Sequence, residues 1–199
     1  YPLGSVLTIA AAGSEMSNSC VITNEEGWYK KALDTDLARP KFAIMNPEIT
    51  YTLPDYQTQC GCADIMMHTM ERYFVLEDTM EITDKIAQDV MKNVMKYAKI
   101  LKKDPENYEA RAEIMWCGSL SHNGLTGCGT CGGDWATHLI EHELGGMFDV
   151  AHGAGLAAVW GSWARYVMDE KPERFAQFAV DVMGVEESDD VKSTALKGI

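Results

Sequence analysis

Basic residues are scarce in this chain: 17 Lys and Arg stand against 30 Asp and Glu, a formal net charge of -13. That balance argues against nucleic acid or an anionic membrane as partner, because both demand a basic surface. No apolar run approaches the ~20 residues that a membrane-crossing helix requires. The start, YPLGSVLTIAAAGSE, has neither the charged n-region nor the apolar h-region of a secretory signal. Internal repeats and low-complexity tracts are absent too. A soluble, cytoplasmic protein is the expectation.

What is present supports a packed fold. Hydrophobic residues make up 46% of the 199, enough for one domain or one domain plus part of a second. A core of that size needs no disulfide staples, so Cys20, Cys60, Cys62, Cys117, Cys128 and Cys131 read as reduced, mostly structural thiols. Cys60-x-Cys62 and Cys128-x-x-Cys131 match no standard zinc knuckle in order or spacing. A chain starting at Tyr1 and stopping in STALKGI is expected to be a piece of something longer.

The fold expectation is mainly α. Over residues 1–54 short apolar runs predict strands at Val6–Ala10, Cys20–Thr23 and Lys41–Met45, with loops over 11–19 and 24–40. Three short strands are too few for an independent sheet, so this part reads as the edge of an α/β domain. Residues 55–199 read as an all-helical domain. Ile82, Ile86, Val90, Val94, Met95 and Ala98 repeat at the spacing of an amphipathic helix over Ile82–Leu101. Further helices are predicted over Asn107–Leu125, Asp134–Met147, the segment after His152, and Pro172–Met183 with Gly184 as its cap. A break is expected at Gly145-Gly146.

The chemistry lies in the histidines. His138, His142 and His152 fall close together, and Asp64-x-x-x-His68 lies far upstream. Asp64 and His68 share one helix face, as do His138 and His142, and His152 can approach from another direction. Neutral imidazoles with one carboxylate suit a divalent transition metal. Spacing alone leaves open which histidines are the ligands.

Other patterns compete. HLIEH satisfies the H-x-x-E-H of inverted zinc peptidases, with His138 and His142 on zinc and Glu141 as base. A metal-stabilised helical domain without catalysis is a further alternative. GCGTCG and GAGLAA resemble dinucleotide fingerprints, but neither follows a strand, so they read as a loop and as tight helix packing. Trp116, Trp135, Trp160 and Trp163 read as core or pocket lining, and the isolated His122 as a satisfied, partly buried side chain.

Through QCGCADIMMHTMERYF, EIMWCGSLSHNGL and GDWATHLIEHELGGMFDVAHGAGLA the chain resembles the iron-dependent alcohol dehydrogenases, in particular bacterial butanol dehydrogenases. The resemblance implies a metal held by Asp64, His68, His138 and His152, with Fe2+ suggested by the family and Zn2+ suited to the same ligands. His142 then falls near the nicotinamide as a proton relay. Thr8 and Ser14 of TIAAAGSE, Lys41 and Leu53 match residues near NAD(H) or NADP(H), although Ala11 and Ala12 replace the Thr or Gly of many members. The implied reaction is hydride transfer between the cofactor and a short-chain alcohol or aldehyde such as butanol or butyraldehyde, in a homodimer. Trp135, Met147 and Phe148 are candidates for lining the aliphatic pocket.

Overall fold

The computed structural model describes residues 1–199. Its first quarter holds four short strands: β1 Gly4–Val6, β2 Ser19–Asn24, β3 Tyr29–Asp34 and β4 Phe42–Ile44. β1 and β4 pair in parallel with Ser5 opposite Ala43. β2 and β3 form an antiparallel hairpin from Ser19–Asp34 to Asn24–Tyr29. The hairpin corrects the expectation of a loop over 24–40. β2 covers the strand expected at Cys20–Thr23, whereas β3, with five of its six residues exposed, carries no alternating pattern to reveal it. The first strand is also displaced: it ends at Val6 instead of starting there.

Seven helices follow: α1 Asp55–Tyr73, α2 Glu81–Leu101, α3 Tyr108–His122, α4 Ala136–Phe148, α5 His152–Val167, α6 Pro172–Asp181 and α7 Val191–Gly198. α2 matches its apolar repeat closely. α3 starts on Asn107, whose side chain accepts the Ala110 N–H at 3.0 Å, satisfying one orphan donor of the first turn. α6 ends before Gly184, which adopts φ +71° as a helix terminator does. α7 has no counterpart in the sequence reading, although Asp190 caps it through the Lys192 N–H.

Gly145 and Gly146 do not break α4; both lie inside it. A Cβ on Gly146 would stand 2.6 Å from the Trp28 carbonyl, so the glycine admits the hairpin backbone against the helix. The break comes at Asp149, in the left-handed region at φ +52°.

α1 is the central element. One cluster joins its Met67, Met70 and Tyr73, and Phe74 just after it, to Met91, Leu156, Phe175 and Phe178. A second joins its Cys62 and Ile65 to Val90, Val94, Tyr97, Leu101, Ile114 and Cys117. With neighbours on both flanks, α1 has buried polar positions as well, and Asp64, His68, Glu71 and Arg72 occupy them. α5 approaches α1 closely enough that a Cβ on Gly153 would lie 2.0 Å from the Cys60 carbonyl, which is the tight packing expected of GAGLAA. Trp116, expected in the core or a pocket, is half exposed. No helix is long and apolar enough to cross a membrane.

Candidate metal centre

α1, α4 and the first turn of α5 bring Asp64, His138 and His152 together. Nε2 of His138 and Nε2 of His152 each lie 3.6 Å from Asp64 Oδ1. Their donor atoms lie within 4.8 Å of one another. Ligands about 2.0–2.2 Å from a tetrahedral zinc stand roughly 3.3–3.6 Å apart, so the spacing fits. Asp64 Oδ1 and His138 Nε2 are both buried without a hydrogen-bond partner. Buried polar atoms are almost always paired, and two orphans facing one point call for a cation between them. The residues present therefore fit a divalent metal.

His68 lies beside this group, its ring centroid 4.5 Å from that of His138. Its Nδ1 donates to its own helix's Asp64 carbonyl at 2.9 Å and so stands 3.1 Å from Asp64 Oδ1 without hydrogen-bonding it. The other two rings are held the same way through Nδ1. That of His138 lies 3.0 Å from Glu71 Oε1, which also accepts the His138 backbone N–H at 3.0 Å. That of His152 meets Glu141 Oε2. Each ring thus binds an acceptor on one nitrogen, an outer arrangement common around metal-bound histidine.

Asp64 draws positive charge to this point. Burial alone would raise the Asp64 carboxyl, but the His68, His138 and His152 imidazoles overcome it and hold it far below the carboxylate range. Burial likewise works against protonated His138, yet Asp64 and Glu71 push its pKa up. His142, one turn after His138 with its ring 5.8 Å from that of His152, is pushed down to about 4, first by burial and then by Lys30 and His152. It is a neutral base at physiological pH.

Four neighbours escaped the sequence reading as site residues. Glu71 meets His138 across 67 positions of sequence, and Lys30 meets Glu141, the partner of His152, across 111. Arg72 bonds the His68 and Ser121 carbonyls, both at 2.9 Å, tying α1 to the end of α3. His122, there read as an isolated side chain, has its ring 4.2 Å from that of His68. Trp135 sits in the left-handed region at φ +64°, a costly conformation for a bulky residue. Its ring lies 5.3 Å from His138 and 4.6 Å from the Arg72 guanidinium. Met147 and Phe148, expected to share a pocket with it, are exposed at the end of α4.

Burial, and then His68 and Arg72, push the His122 imidazole down to about 2 from the ordinary 6.5. The unfolded chain therefore binds this proton first on acidification, and stability present above pH 6.5 is lost as pH falls below it. In chelator-treated protein, His122→Gln is expected to remove one proton from this dependence across about pH 4 to 6, read from urea midpoints.

The residues expected near a cofactor all precede α1. Thr8, Ser14 and Lys41 are exposed, and Leu53 is half-buried beside Ile9, Thr50 and Arg111. The loop carrying Ser14 packs on α3: a Cβ on Gly13 would lie 2.8 Å from the His122 Cβ, and Glu15 accepts the Ser119 hydroxyl. The peptidase pairing is disfavoured, because Glu141, His142 and His152 form a group of candidate ligands but His138 and His142 do not share one. Glu141 is fully buried on His152 and Lys30.

A centre of imidazoles and one carboxylate at a helical junction defines a metal-binding domain, and comparison with known proteins supplies its family. Residues 58–198 match the C-terminal model of the Fe-containing alcohol dehydrogenase family, and the chain belongs to that family. It is 38% identical over 199 residues to NADH-dependent butanol dehydrogenase A of Clostridium acetobutylicum, covering 100% of this chain and 51% of that protein. It is 35% identical over 189 residues to the NADPH-dependent aldehyde reductase YqhD of Escherichia coli, covering 95% and 49%. The crystal structure of NADH-dependent butanol dehydrogenase A from Thermotoga maritima superposes with a TM-score of 0.95 at 39% identity, over 99% of this chain and 49% of that one. The chain spans about half the length of the curated relatives it matches.

Proposed function

We propose that this chain carries the metal-binding part of an NAD(P)H-dependent alcohol dehydrogenase or aldehyde reductase acting on short-chain substrates of the butanol and butyraldehyde type. The observation that carries it is the pair of unpartnered buried atoms, Asp64 Oδ1 and His138 Nε2, with His152 Nε2 beside them, in a chain of this family. Asp64, His68, His138 and His152 are the ligands, for Fe2+ or Zn2+. When bound, the metal supplies Lewis acidity toward an alcohol or carbonyl oxygen, and the nicotinamide supplies the hydride chemistry.

The chain's own residues do the rest. Asp64 contributes the one negative charge among three neutral imidazoles, so the ion keeps net positive character. His142, neutral and one turn from His138, takes or returns the hydroxyl proton, directly or through water. Trp135 walls the histidines with an apolar face. Residues 1–54 are the C-terminal part of an α/β dinucleotide-binding domain and residues 55–199 the metal-binding domain. The parallel β1–β4 pair supports this, since parallel strands belong to sheets covered on both faces. Thr8, Ser14, Lys41 and Leu53 face the cofactor, NAD(H) or NADP(H). A homodimer in the cytoplasm belongs to the same reading.

The test is an assay of the natural polypeptide, stripped with chelator and reloaded with Fe2+ or Zn2+. Butyraldehyde-dependent oxidation of NADH or NADPH is expected only after reloading, and turnover equal with and without metal would refute the proposal. The peptidase alternative predicts instead peptide cleavage without nicotinamide, lost in Glu141→Gln.

A further inference from the structure

Glu141 lies between His138 and His142 in α4, yet its carboxylate hydrogen-bonds neither. It is fully buried, and Oε2 receives Nδ1 of His152 and the Lys30 ammonium, the latter at 3.2 Å. The Lys30 Nζ also stands 3.5 Å from the same His152 nitrogen. An ammonium offers donors only and an ionised carboxylate acceptors only. The arrangement that gives each of the three groups a partner protonates Nδ1 of His152, with both cationic lysine and ring N–H donating to Glu141 Oε2. Nε2 is then a bare lone pair, and it is the atom facing Asp64 at 3.6 Å.

The fold makes room for this carboxylate. A Cβ on Gly155 of α5 would stand 2.8 Å from Glu141 Cγ and 3.1 Å from its Oε1. A Cβ on Gly145 of α4 would stand 3.0 Å from the same oxygen. Glycines on two facing helices thus bound a gap that a glutamate fills. We infer that Glu141, balanced by Lys30, is a positioning residue for His152: it fixes the ring in the tautomer that aims Nε2 at the metal position, and so sets the metal affinity of the site. Lys30 comes from β3, so this carboxylate ties the hairpin to the metal centre.

The inference rests on His152 being a ligand, and the test separates the two. Zn2+ affinity of the natural polypeptide is measured by competition with a chromophoric chelator, and the His152 tautomer by imidazole nitrogen shifts. Glu141→Ala is expected to lower the affinity about 10–100-fold, the usual cost of losing such an outer partner, and to abolish the single Nδ1–H tautomer. Glu141→Gln keeps an acceptor oxygen and is expected to restore most of both. Gly155→Ala, whose methyl displaces the carboxylate, is expected to follow Glu141→Ala. Should Glu141→Ala fail to fold, Glu141→Met fills the space without an acceptor and is read in its place. Unchanged affinity and tautomer in the variant lacking the acceptor, with Zn2+ lost from His152→Ala, overturns the inference and leaves the ligand reading standing. Zn2+ retained at full affinity by His152→Ala overturns the ligand reading, and the inference with it.

Discussion

Asp64→Asn is expected to empty the site of metal and to lower butyraldehyde-dependent NAD(P)H turnover of the natural polypeptide about a thousandfold. The change is nearly isosteric, so the amide oxygen still fits beside the Nε2 atoms 3.6 Å away. What it removes is the charge. Every other proposed ligand is a neutral imidazole, and without the carboxylate no anion faces the ion. Lewis-acid stabilisation is worth several kcal/mol, and at about 1.4 kcal/mol per decade that gives roughly three orders of magnitude. Elemental analysis after desalting, beside the turnover assay, reads both effects. Stoichiometric metal in the variant would remove Asp64 from the ligand set. Near-UV circular dichroism separates metal loss from unfolding, since the amide keeps the shape that packs against His68.

The site was legible in the sequence to the extent that its residues sit on helices. The four-residue spacings of Asp64 and His68, and of His138 and His142, set each pair on one face, and those faces meet the junction of α1, α4 and α5. α2 was legible for the same reason, the Val90, Val94, Met95 and Ala98 part of its apolar repeat being the side that packs in the core, while Ile82 stays exposed. The partners that hold the rings were not. Glu71 reaches His138 from 67 positions away and Lys30 reaches Glu141 from 111, and no local periodicity encodes a pairing made only by tertiary packing. His142 illustrates the limit from the other side. Spacing makes it look like the twin of His138, and only the three-dimensional neighbours show it beside His152 and Lys30 with a depressed pKa. The glycines misled for a physical reason: Gly145 and Gly146 suit a chain break, but here they serve the close approach of a carboxylate and of the hairpin backbone. β2 was legible as an apolar run, but its partner β3 stayed hidden because a strand exposed on both faces needs no alternation.

The largest loss of stability is expected away from the metal, at Arg174. This α6 guanidinium makes a two-pronged pair with Asp84 of α2, both contacts 2.6 Å, and donates to the Tyr73 carbonyl at 2.8 Å. It also lies 3.5 Å from the centre of the Tyr73 ring, so α1, α2 and α6 converge on one side chain. Both charged partners are nearly buried, at 5% and 11% side-chain exposure. Burial would raise the Asp84 carboxyl, yet the hydrogen bonds from Arg174 and Thr79 hold it below the usual range. Arg174→Ala leaves that carboxylate buried with only Thr79 to answer it, and breaking a buried pair from one side costs about 3–5 kcal/mol. For a chain of this size that is a fall in melting temperature of roughly 2–4 °C per kcal/mol. The proposed metal ligands lie on α1, α4 and α5 and none of them bonds Arg174, so metal content in the folded variant is expected to stay at the wild-type level. Replacing both partners, Arg174→Met with Asp84→Leu, is expected to cost far less than the single change, because no charge is then left without its partner. A double variant as unstable as Arg174→Ala would mean that the guanidinium acts chiefly through Tyr73, by its ring contact and its bond to the carbonyl, and urea unfolding of the three proteins decides between them.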